Sequence, residues 1–480
     1  MSARKIFFNT ILQSIGKVVS VAIGLVTIAL LTRYLGDEGF GEYTTVTAFM
    51  GFFGVLADLG LYLVTTRLIS KEGADEKKIL GNVFALRFVT VLGMLMVGAV
   101  IALFFPYSAE VKQAMFVGIA AFTFVSGTQV LIGVFQKHLI FYQLTASEII
   151  QRTVMLGLVW WFISLNFGLT SFVWVLAISS GVHFFISLAI VRKFIPFQLQ
   201  WDFRFWKAIL TESWPLAFSV VLNLVYFRAD TLILSVFKPA ADVGVYGISY
   251  KILEVLMAFP AMFAGLIMPF LARFAFKEWP LYREYLQKSF DAVLIAIVPM
   301  VIITLFFARP IIDLVGGRGF ADADTVLQVL IFATAILYLG NLLGYTVVAL
   351  GIQKQMLKGY LLGAVVGLAL YFLLIPKYSY FGAAYATIAV ELIVFAYAYY
   401  LTSRSSAFYP SFSILGKAGI AGTVMALSFY LLKFPWIPEV IIGSAAYLGL
   451  LYVLGAIPKS FLQDLLAKRK EAEAIAPITE

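Results

Sequence analysis

Long apolar runs separated by short polar stretches dominate the pattern of the chain. Broken at charges, glycines and prolines, the pattern gives fourteen helical segments, each near the ~20 residues needed to cross a bilayer. It therefore predicts an all-α polytopic membrane protein. The predicted helices are 9–35, 40–64, 79–105, 112–135, 148–165, 169–191, 209–237, 244–272, 286–308, 325–350, 356–375, 379–402, 415–433 and 438–457.

Composition supports a membrane protein and excludes several kinds of chemistry. The 480 residues are 62% hydrophobic and 13% charged, whereas soluble domains are about half apolar and a quarter charged. There is no cysteine, so disulfides and thiolate chemistry are excluded. The two histidines, His138 and His183, lie far apart in the chain, so we expect no metal site. P-loop and HExxH motifs do not occur, so we expect no enzyme activity and no cofactor.

The distribution of basic residues predicts the orientation in the membrane. Of the 35 Lys and Arg residues, 26 lie on one side of the predicted helices, 7 lie on the other, and Arg228 and Lys251 lie within helices. Basic residues collect in cytoplasmic loops. We therefore expect a multi-pass protein of the cytoplasmic membrane with both termini in the cytoplasm. The net charge of +9 then reflects topology and does not indicate a nucleic-acid partner.

An internal repeat predicts the domain organisation. An offset of 203 residues places Gly41-Glu42-Tyr43 on Gly244-Val245-Tyr246, each at the start of a predicted helix. Six helices per repeat is an even number, so the two halves share one orientation, as parallel transporter repeats do. The predicted domains are an N-lobe (1–191), a cytoplasmic connector (192–208), a C-lobe (209–402), two C-terminal helices within 403–458 and a cytoplasmic tail (459–480).

Four charged residues lie in the outer half of predicted helices 7 and 8. Arg228 and Asp230 precede the outer end of helix 7, and Lys251 and Glu254 follow the outer start of helix 8. One interpretation is a neutral ion-pair network that bridges the two helices. The other is a cavity in which Arg228 and Lys251 hold an anionic head group.

Other polar residues in the spans are weaker candidates. Asn223, Tyr226 and Asp230 share one face of helix 7, where they would bind sugar hydroxyls or serve packing. Lys17, Asp58 and Arg87 lie in the inner half of the first lobe, where the two cations would reach the membrane surface or join a cluster. Glu391, at mid-depth of helix 12, would be protonated, paired across helices or a coupling site for a proton or cation.

Short motifs in the two hairpins resemble those of a known family. The chain is similar to the oligosaccharide (polysaccharide) flippases of the multidrug/oligosaccharidyl-lipid/polysaccharide exporter superfamily. The resemblance covers helices 1–12, and helices 13 and 14 match mainly in number. The matching residues are Arg33-Tyr34-Leu35-Gly36, Phe40-Gly41, Tyr43, Asp58-Leu59-Gly60-Leu61, Arg67, Arg228-Ala229-Asp230, Val243-Gly244-Val245-Tyr246, Pro269 and Leu271.

The resemblance implies two lobes around a central cavity that works by alternating access. It implies a cargo of oligosaccharide on a polyprenyl diphosphate, moved from the cytoplasmic to the outer leaflet, with membrane lipids and a glycan polymerase or glycosyltransferase as partners. The span charges depart from a simple anion site, because acidic residues offset the basic ones. The matching candidates for cargo binding are Arg33, Asp58, Arg67, Arg228, Asp230 and Lys251.

Two other functions remain open from the sequence. A cation-coupled multidrug antiporter of the same superfamily would use the acidic residues Asp58, Glu254 and Glu391. A membrane scaffold for glycan synthesis would need no transport at all.

Overall fold

The computed structural model describes residues 3–58, 60–71, 73–138, 140–432 and 434–456, and this part of the chain is helical without any β-strand. Lys433 and the predicted tail, 459–480, lie outside the described residues. The helices are α1 (Ala3–Leu56), α2 (Leu61–Ile69), α3 (Glu76–Ala102), α4 (Ala109–Lys137), α5 (Phe141–Ser164), α6 (Leu169–Phe194), α7 (Phe203–Phe237), α8 (Ala240–Phe274), α9 (Trp279–Val315), α10 (Ala323–Ala349), α11 (Gln353–Ser406), α12 (Ser413–Leu431) and α13 (Trp436–Val453).

Helices α1 and α11 are each long enough for two membrane-spanning segments. Both have 54 residues, about 80 Å of helix, which is more than twice the hydrocarbon thickness. Gly36 (φ 69°) interrupts α1 and Ser379 (φ 49°) interrupts α11, so each of them consists of two helices joined at a kink. Ten of the described helices are long and apolar enough to span a membrane. Dividing the two long ones brings the described segments close to the predicted fourteen, and the predicted all-α membrane fold is confirmed.

The chain forms two compact units. The first unit contains Met1–Val255, Ile311–Val326 and Leu357–Val390, and the second contains Leu256–Pro310, Leu327–Met356 and Glu391–Glu480. These units group the helices by contact, so the predicted division into an N-lobe and a C-lobe stays a prediction. The cavities described below all lie within the first unit.

Glycines allow two helices of the first unit to cross in backbone contact. A Cβ atom on Gly41 of α1 would lie 1.7 Å from the carbonyl oxygen of Ala240, and one on Gly244 of α8 would lie 2.1 Å from that of Asp37. Any side chain at either position would clash, which explains the glycines. The two contacts are equivalent in the repeat. Ala240 corresponds to Asp37, and Gly244 corresponds to Gly41, at the offset of 203 residues.

Hydrogen bonds join α1 to the end of α9 and α8 to the start of α10. These helix ends lie near the predicted outer loops. Thr32 Oγ1 donates to the carbonyl oxygen of Val315 (3.0 Å), and Arg33 Nη2 donates to that of Leu314 (2.8 Å). Ser249 Oγ donates to the carbonyl oxygen of Ala323 (2.8 Å). These bonds give the backbone acceptors at the ends of α9 and α10 partners within the first unit.

The sequence did not predict a break that divides helix 2. α1 ends at Leu56, Gly60 adopts a left-handed conformation (φ 71°), and α2 begins one residue later. Backbone groups released inside a membrane need new partners. The hydroxyl of Thr90 donates to the carbonyl oxygen of Ala57 (3.2 Å), and the guanidinium of Arg87 pairs with the carboxylate of Asp58 (2.6 Å).

The segment between α6 and α7 docks against the start of α3. A Cβ atom on Gly81 would lie 2.1 Å from the carbonyl oxygen of Gln198, so the connector passes directly over this glycine. The amide of Asp202 donates to Asn82 Oδ1 (2.9 Å), and the Asp202 carboxylate accepts hydrogen bonds from the first turn of α7. The backbone N–H of Phe205 is the main reason that the pKa of the Asp202 carboxyl lies below its ordinary value.

The second unit has its own apolar core. α9 contributes Tyr282 and Phe290, which pack with Leu271 of α8 and Leu342 of α10. The hydroxyl of Tyr447 in α13 donates to the carbonyl oxygen of Ile295 in α9 (2.9 Å).

The Asp58–Arg87 ion pair gives the first testable prediction. Arg87 is only 2% exposed, and removing one partner of a buried pair leaves an uncompensated charge, at a cost of ~3–5 kcal/mol. We expect Asp58→Asn to lower the thermal midpoint of the detergent-solubilised protein strongly.

Replacing both partners is the matched control. The double variant Asp58→Leu with Arg87→Met removes both charges, and such replacements are often neutral. It should regain most of the lost stability in the same thermal melt. A double variant as unstable as Asp58→Asn would show that the pair is not the cause.

Candidate functional site

A polar cavity of about 560 Å³ lies inside the first unit, among α1, α4, α5, α6, α7 and α8. After the glycine crossing, α1 lines the cavity from Tyr43 and α8 lines it from Gly247, within one helical turn of Gly41 and Gly244. Neither glycine of the crossing lines the cavity, so the crossing lies next to it. Its polar uncharged lining consists of Tyr43, Thr44, Thr47, Ser126, Thr128, Gln129, Gln151, Ser180, His183, Thr231 and Tyr250.

Cations outnumber anions among the residues that line the cavity. Arg152, Arg228 and Lys251 carry positive charge there, and Glu148 carries negative charge. Counting all span charges predicted a balance, but the structure assigns some of the acidic residues elsewhere. The cavity is consequently more positive than the sequence indicated.

Glu254 holds two of these cations together. Its carboxylate accepts from Arg228 Nη2 (2.9 Å) and from Lys251 Nζ (2.8 Å), which joins α7 to α8. The Arg228 guanidinium also lies 5.7 Å from the ring centre of Tyr250, in a cation–π contact. All three charged side chains stay about a third exposed, so they are accessible to a ligand. The predicted network between helices 7 and 8 and the predicted anion site therefore use the same residues.

Glu148 and Arg152 provide the second charged group of the cavity. Glu148 Oε1 accepts from Lys17 Nζ (2.9 Å) and Ser20 Oγ (2.9 Å) of α1. Arg152 lies one turn further along the same face of α5. Among the described residues it forms no ion pair, and its buried Nε has no hydrogen-bond partner. Its guanidinium is thus the cation with most bonding capacity left for a ligand.

The predicted inner group of Lys17, Asp58 and Arg87 divides between two ion pairs. Lys17 pairs with Glu148, whereas Asp58 pairs with Arg87 at the break in helix 2. Arg87 Nη2 also donates to Gln129 Oε1 (3.0 Å), and Gln129 lines the cavity. Neither Asp58 nor Arg87 lines the cavity itself.

Asp230 is buried away from the cavity lining. The hydroxyl of Tyr246 (2.6 Å) and the backbone N–H of Thr231 (2.6 Å) both donate to its carboxylate. Two further candidates also lie elsewhere: Arg33 bonds carbonyl oxygens near the end of α9, and Arg67 forms an exposed pair with Glu212.

The remaining candidates are Glu391, Asn223 and Tyr226, and none is described as lining the cavity. Glu391 is buried in α11, within the second unit. The side chains of Asn223 and Tyr226 lie outside the described part of the chain.

Sequence reasoning missed the contribution of α5 and α6. The predicted helix 5 began at residue 148, which placed Glu148 and Arg152 at the membrane surface. α5 begins at Phe141, so Arg152 lies eleven residues inside it, at about 16 Å. The spacing of four residues between Glu148 and Arg152 was the sequence signal that could have identified this pair, because it places both on one face of a helix. His183, which was not among the predicted site residues, also lines the cavity.

A fold of membrane-spanning helices with a polar, mainly cationic cavity defines a membrane transporter. The chain belongs to the family described as "polysaccharide biosynthesis protein", which matches residues 6–275. The MatE family also matches residues 215–373.

Curated relatives agree with this assignment. The chain is 22% identical over 418 residues to the "Probable low-salt glycan biosynthesis flippase Agl15" of Haloferax volcanii, with 86% of each chain covered. It is 27% identical over 195 residues to the "Capsular polysaccharide biosynthesis protein CapF" of Staphylococcus aureus, which covers 40% of this chain and 49% of that one.

Solved structures share the fold. The structure titled "Lipid II flippase MurJ, inward closed conformation" has a TM-score of 0.80 at 16% identity, and the match covers 95% of this chain and all of the other. An inward-facing multidrug resistance MATE family transporter has a TM-score of 0.64 at 13% identity, covering 81% of this chain and 99% of the other. At these identities the likeness establishes the fold alone.

Arg152 gives a prediction for ligand binding. A hydrogen bond to a charged group contributes ~1.5–3 kcal/mol, so Arg152→Gln should weaken binding of farnesyl diphosphate about tenfold or more. Isothermal titration calorimetry of the purified protein in detergent measures this. Arg67→Gln is the matched control, because it removes the same charge outside the cavity. Equal affinities of both variants would contradict an anion-binding role for Arg152.

Proposed function

We propose that this protein flips a lipid-linked oligosaccharide, carried on a polyprenyl diphosphate, from the cytoplasmic to the outer leaflet during polysaccharide biosynthesis. The observation that carries the proposal is the cavity in which Arg152, Arg228 and Lys251 converge in a chain of the polysaccharide biosynthesis family. A diphosphate is the strongly anionic part of such a cargo. Three cations from three helices match it in charge and in the number of available donors.

The acidic residues act in this proposal as counter-ions that the cargo replaces. Moving charges out of water is costly unless each is paired. Without cargo, Glu254 pairs Arg228 and Lys251, and Glu148 pairs Lys17. A diphosphate that enters the cavity would accept hydrogen bonds from some of these paired donors. It would also accept hydrogen bonds from the N–H groups of Arg152, which form no ion pair among the described residues. Because the exchange is nearly balanced, the cargo binds without being trapped.

The neutral lining suits the sugar portion of the cargo. Amide side chains such as Gln129 and Gln151 and phenol groups such as Tyr43 and Tyr250 both donate and accept hydrogen bonds. Aromatic rings also pack against the apolar faces of sugars. Such contacts adapt to different glycans, which fits a carrier that selects its cargo mainly by the diphosphate.

The glycine crossing provides the gate for alternating access. It lies next to the cavity, on the side that the basic-residue distribution predicts to be outer. We assign the described arrangement to a state closed toward the outside, with both termini in the cytoplasm. Release of cargo then requires the Gly41 and Gly244 segments to separate. Glycosyltransferases would supply the cargo inside and a polymerase would consume it outside.

A cation-coupled multidrug antiporter is the alternative that the MatE match raises. Such a carrier needs acidic side chains free to exchange a proton or cation for a cationic drug. Glu148 and Glu254 are both ion-paired, and Asp230 is buried among hydroxyl and backbone donors outside the cavity lining. The cationic lining therefore favours an anionic cargo.

Cargo export tests the proposed function. Replacing Arg228 and Lys251 together by Ala removes two of the three lining cations, so we expect glycan export to fall at least tenfold at normal expression. The measurement is surface glycan in cells whose own flippase is deleted and complemented with each variant. Arg67→Gln should export normally. Export at the level of the unmodified protein by a well-expressed double variant would exclude a charge-based mechanism.

A crosslink tests the gate. A Cβ atom on Gly247 would lie 3.4 Å from Thr44 Cβ, close to the ~3.5–4.5 Å spacing of disulfide-bonded residues. Because the chain has no cysteine, Thr44→Cys with Gly247→Cys introduces one defined pair. We expect oxidation to stop export and reduction to restore it, whereas either single variant should be insensitive to oxidant. Full export by the crosslinked protein would show that the crossing does not open.

A further inference from the structure

A second cavity, of about 340 Å³, opens on α3, α4 and α6 away from the transport cavity. Its walls are mainly apolar, with Phe84 and Phe88 from α3, Phe124 from α4 and Phe185 from α6. Arg87 also lines it, but this guanidinium is buried and paired with Asp58. Phe88 and Phe185 are about half exposed, as side chains that face lipid are. We call this cavity the flank groove. Arg192, in the last turn of α6, lies at its end.

The flank groove continues along α6 toward the other membrane surface. A neighbouring apolar depression of about 500 Å³ shares Phe124 and Phe185 with it and extends to Trp174. From Trp174 to Arg192 the helix rises about 27 Å, close to the ~30 Å thickness of the hydrocarbon core. An apolar channel of bilayer depth thus ends at a basic residue.

The wall formed by α4 and α6 separates the flank groove from the transport cavity. α4 presents Gln129 to the cavity and Phe124 to the groove, and α6 presents His183 to the cavity and Phe185 to the groove. The two cavities share no lining residue, so the groove is a separate binding surface. The groove therefore suits a different lipid.

Contacts with the connector hold Arg192 in place at the end of the groove. The Arg192 guanidinium lies 5.9 Å from the ring centre of Phe197, which belongs to the connector and also lines the groove. The connector is fixed in turn by its close passage over Gly81 and by the Asn82–Asp202 hydrogen bond. Arg192 is exposed and forms no ion pair among the described residues, so its charge is available to an anion.

We propose that the flank groove binds an anionic membrane phospholipid, with an acyl chain among the phenylalanines and the phosphate at Arg192. Bulk lipid would fill an apolar groove without preference. The exposed arginine at the end of the groove adds the charge complementarity that selects an anionic head group. The binding site is independent of the proposed transport function, because none of its determinants lies in the transport cavity lining.

Retention of lipid by the purified protein tests this site. The full chain is reconstituted in vesicles of equal phosphatidylglycerol and phosphatidylcholine, extracted in detergent, washed and analysed by native mass spectrometry. We expect one bound phosphatidylglycerol, and Arg192→Gln should reduce its occupancy at least fivefold. Lys193→Gln is the matched control, since it removes the adjacent charge, which does not line the groove, and should retain the lipid.

A second pair of variants tests the apolar part of the groove. Leu188→Trp should fill the groove next to Arg192 and release the lipid, whereas Ile150→Trp, at an exposed position of α5 outside the groove, should not. Equal retention by Arg192→Gln and Lys193→Gln would overturn the proposal, as would equal retention of phosphatidylcholine. Lipid loss in Arg192→Gln but not in Leu188→Trp would mean surface charge binding alone and would also overturn it.

Discussion

The backbone contact between α1 and α8 is the constraint on which the site depends. Helices approach this closely only where both lack side chains, and Gly41 and Gly244 provide that on equivalent positions of the two repeats. One turn beyond the crossing, Thr44 of α1 still packs against Gly247 of α8, and both residues line the cavity. Lys251 then faces it from α8, and Glu254 reaches Arg228 on α7. The proposed gate and the proposed cargo site are therefore built on the same pair of helices.

Pairing of charges in the low-dielectric interior decides which residues remain for a ligand. Asp58, at the break in helix 2, forms an ion pair with Arg87. The Asp230 carboxylate accepts hydrogen bonds from a tyrosine hydroxyl and a backbone amide. Burial of an unpaired charge would be far more costly than either arrangement. Asp58 and Arg87 leave the cavity lining together, Asp230 leaves it alone, and Arg152 is added to it. A set of span charges that balances in the sequence therefore gives a mainly cationic lining.

Patterning predicted most of the fold, because burial in lipid demands long apolar helices with satisfied backbones. The predicted segment at 169–191 and the observed α6, Leu169–Phe194, nearly coincide. Two errors had local causes. The polar stretch at the start of α5 was interpreted as a loop, which hid Glu148 and Arg152. The break at Gly60 was missed because the surrounding residues are apolar on both sides, and its backbone partners come from α3.

The sequence by itself determined the membrane class, the repeat, the family and the residues of the Arg228–Glu254–Lys251 network. The membrane class and the network follow from composition, periodicity and spacing within one or two adjacent helices, and the family follows from the resemblance of short motifs. Only the tertiary structure decided that Arg152 joins that network in one cavity, that Asp58 and Asp230 do not, and that α4 and α6 carry a lipid-facing groove on their other side. The reason is that ion pairs and the orientation of each side chain depend on contacts between helices that are distant in sequence. Glu148 and Lys17, for example, form an ion pair although they are 131 residues apart.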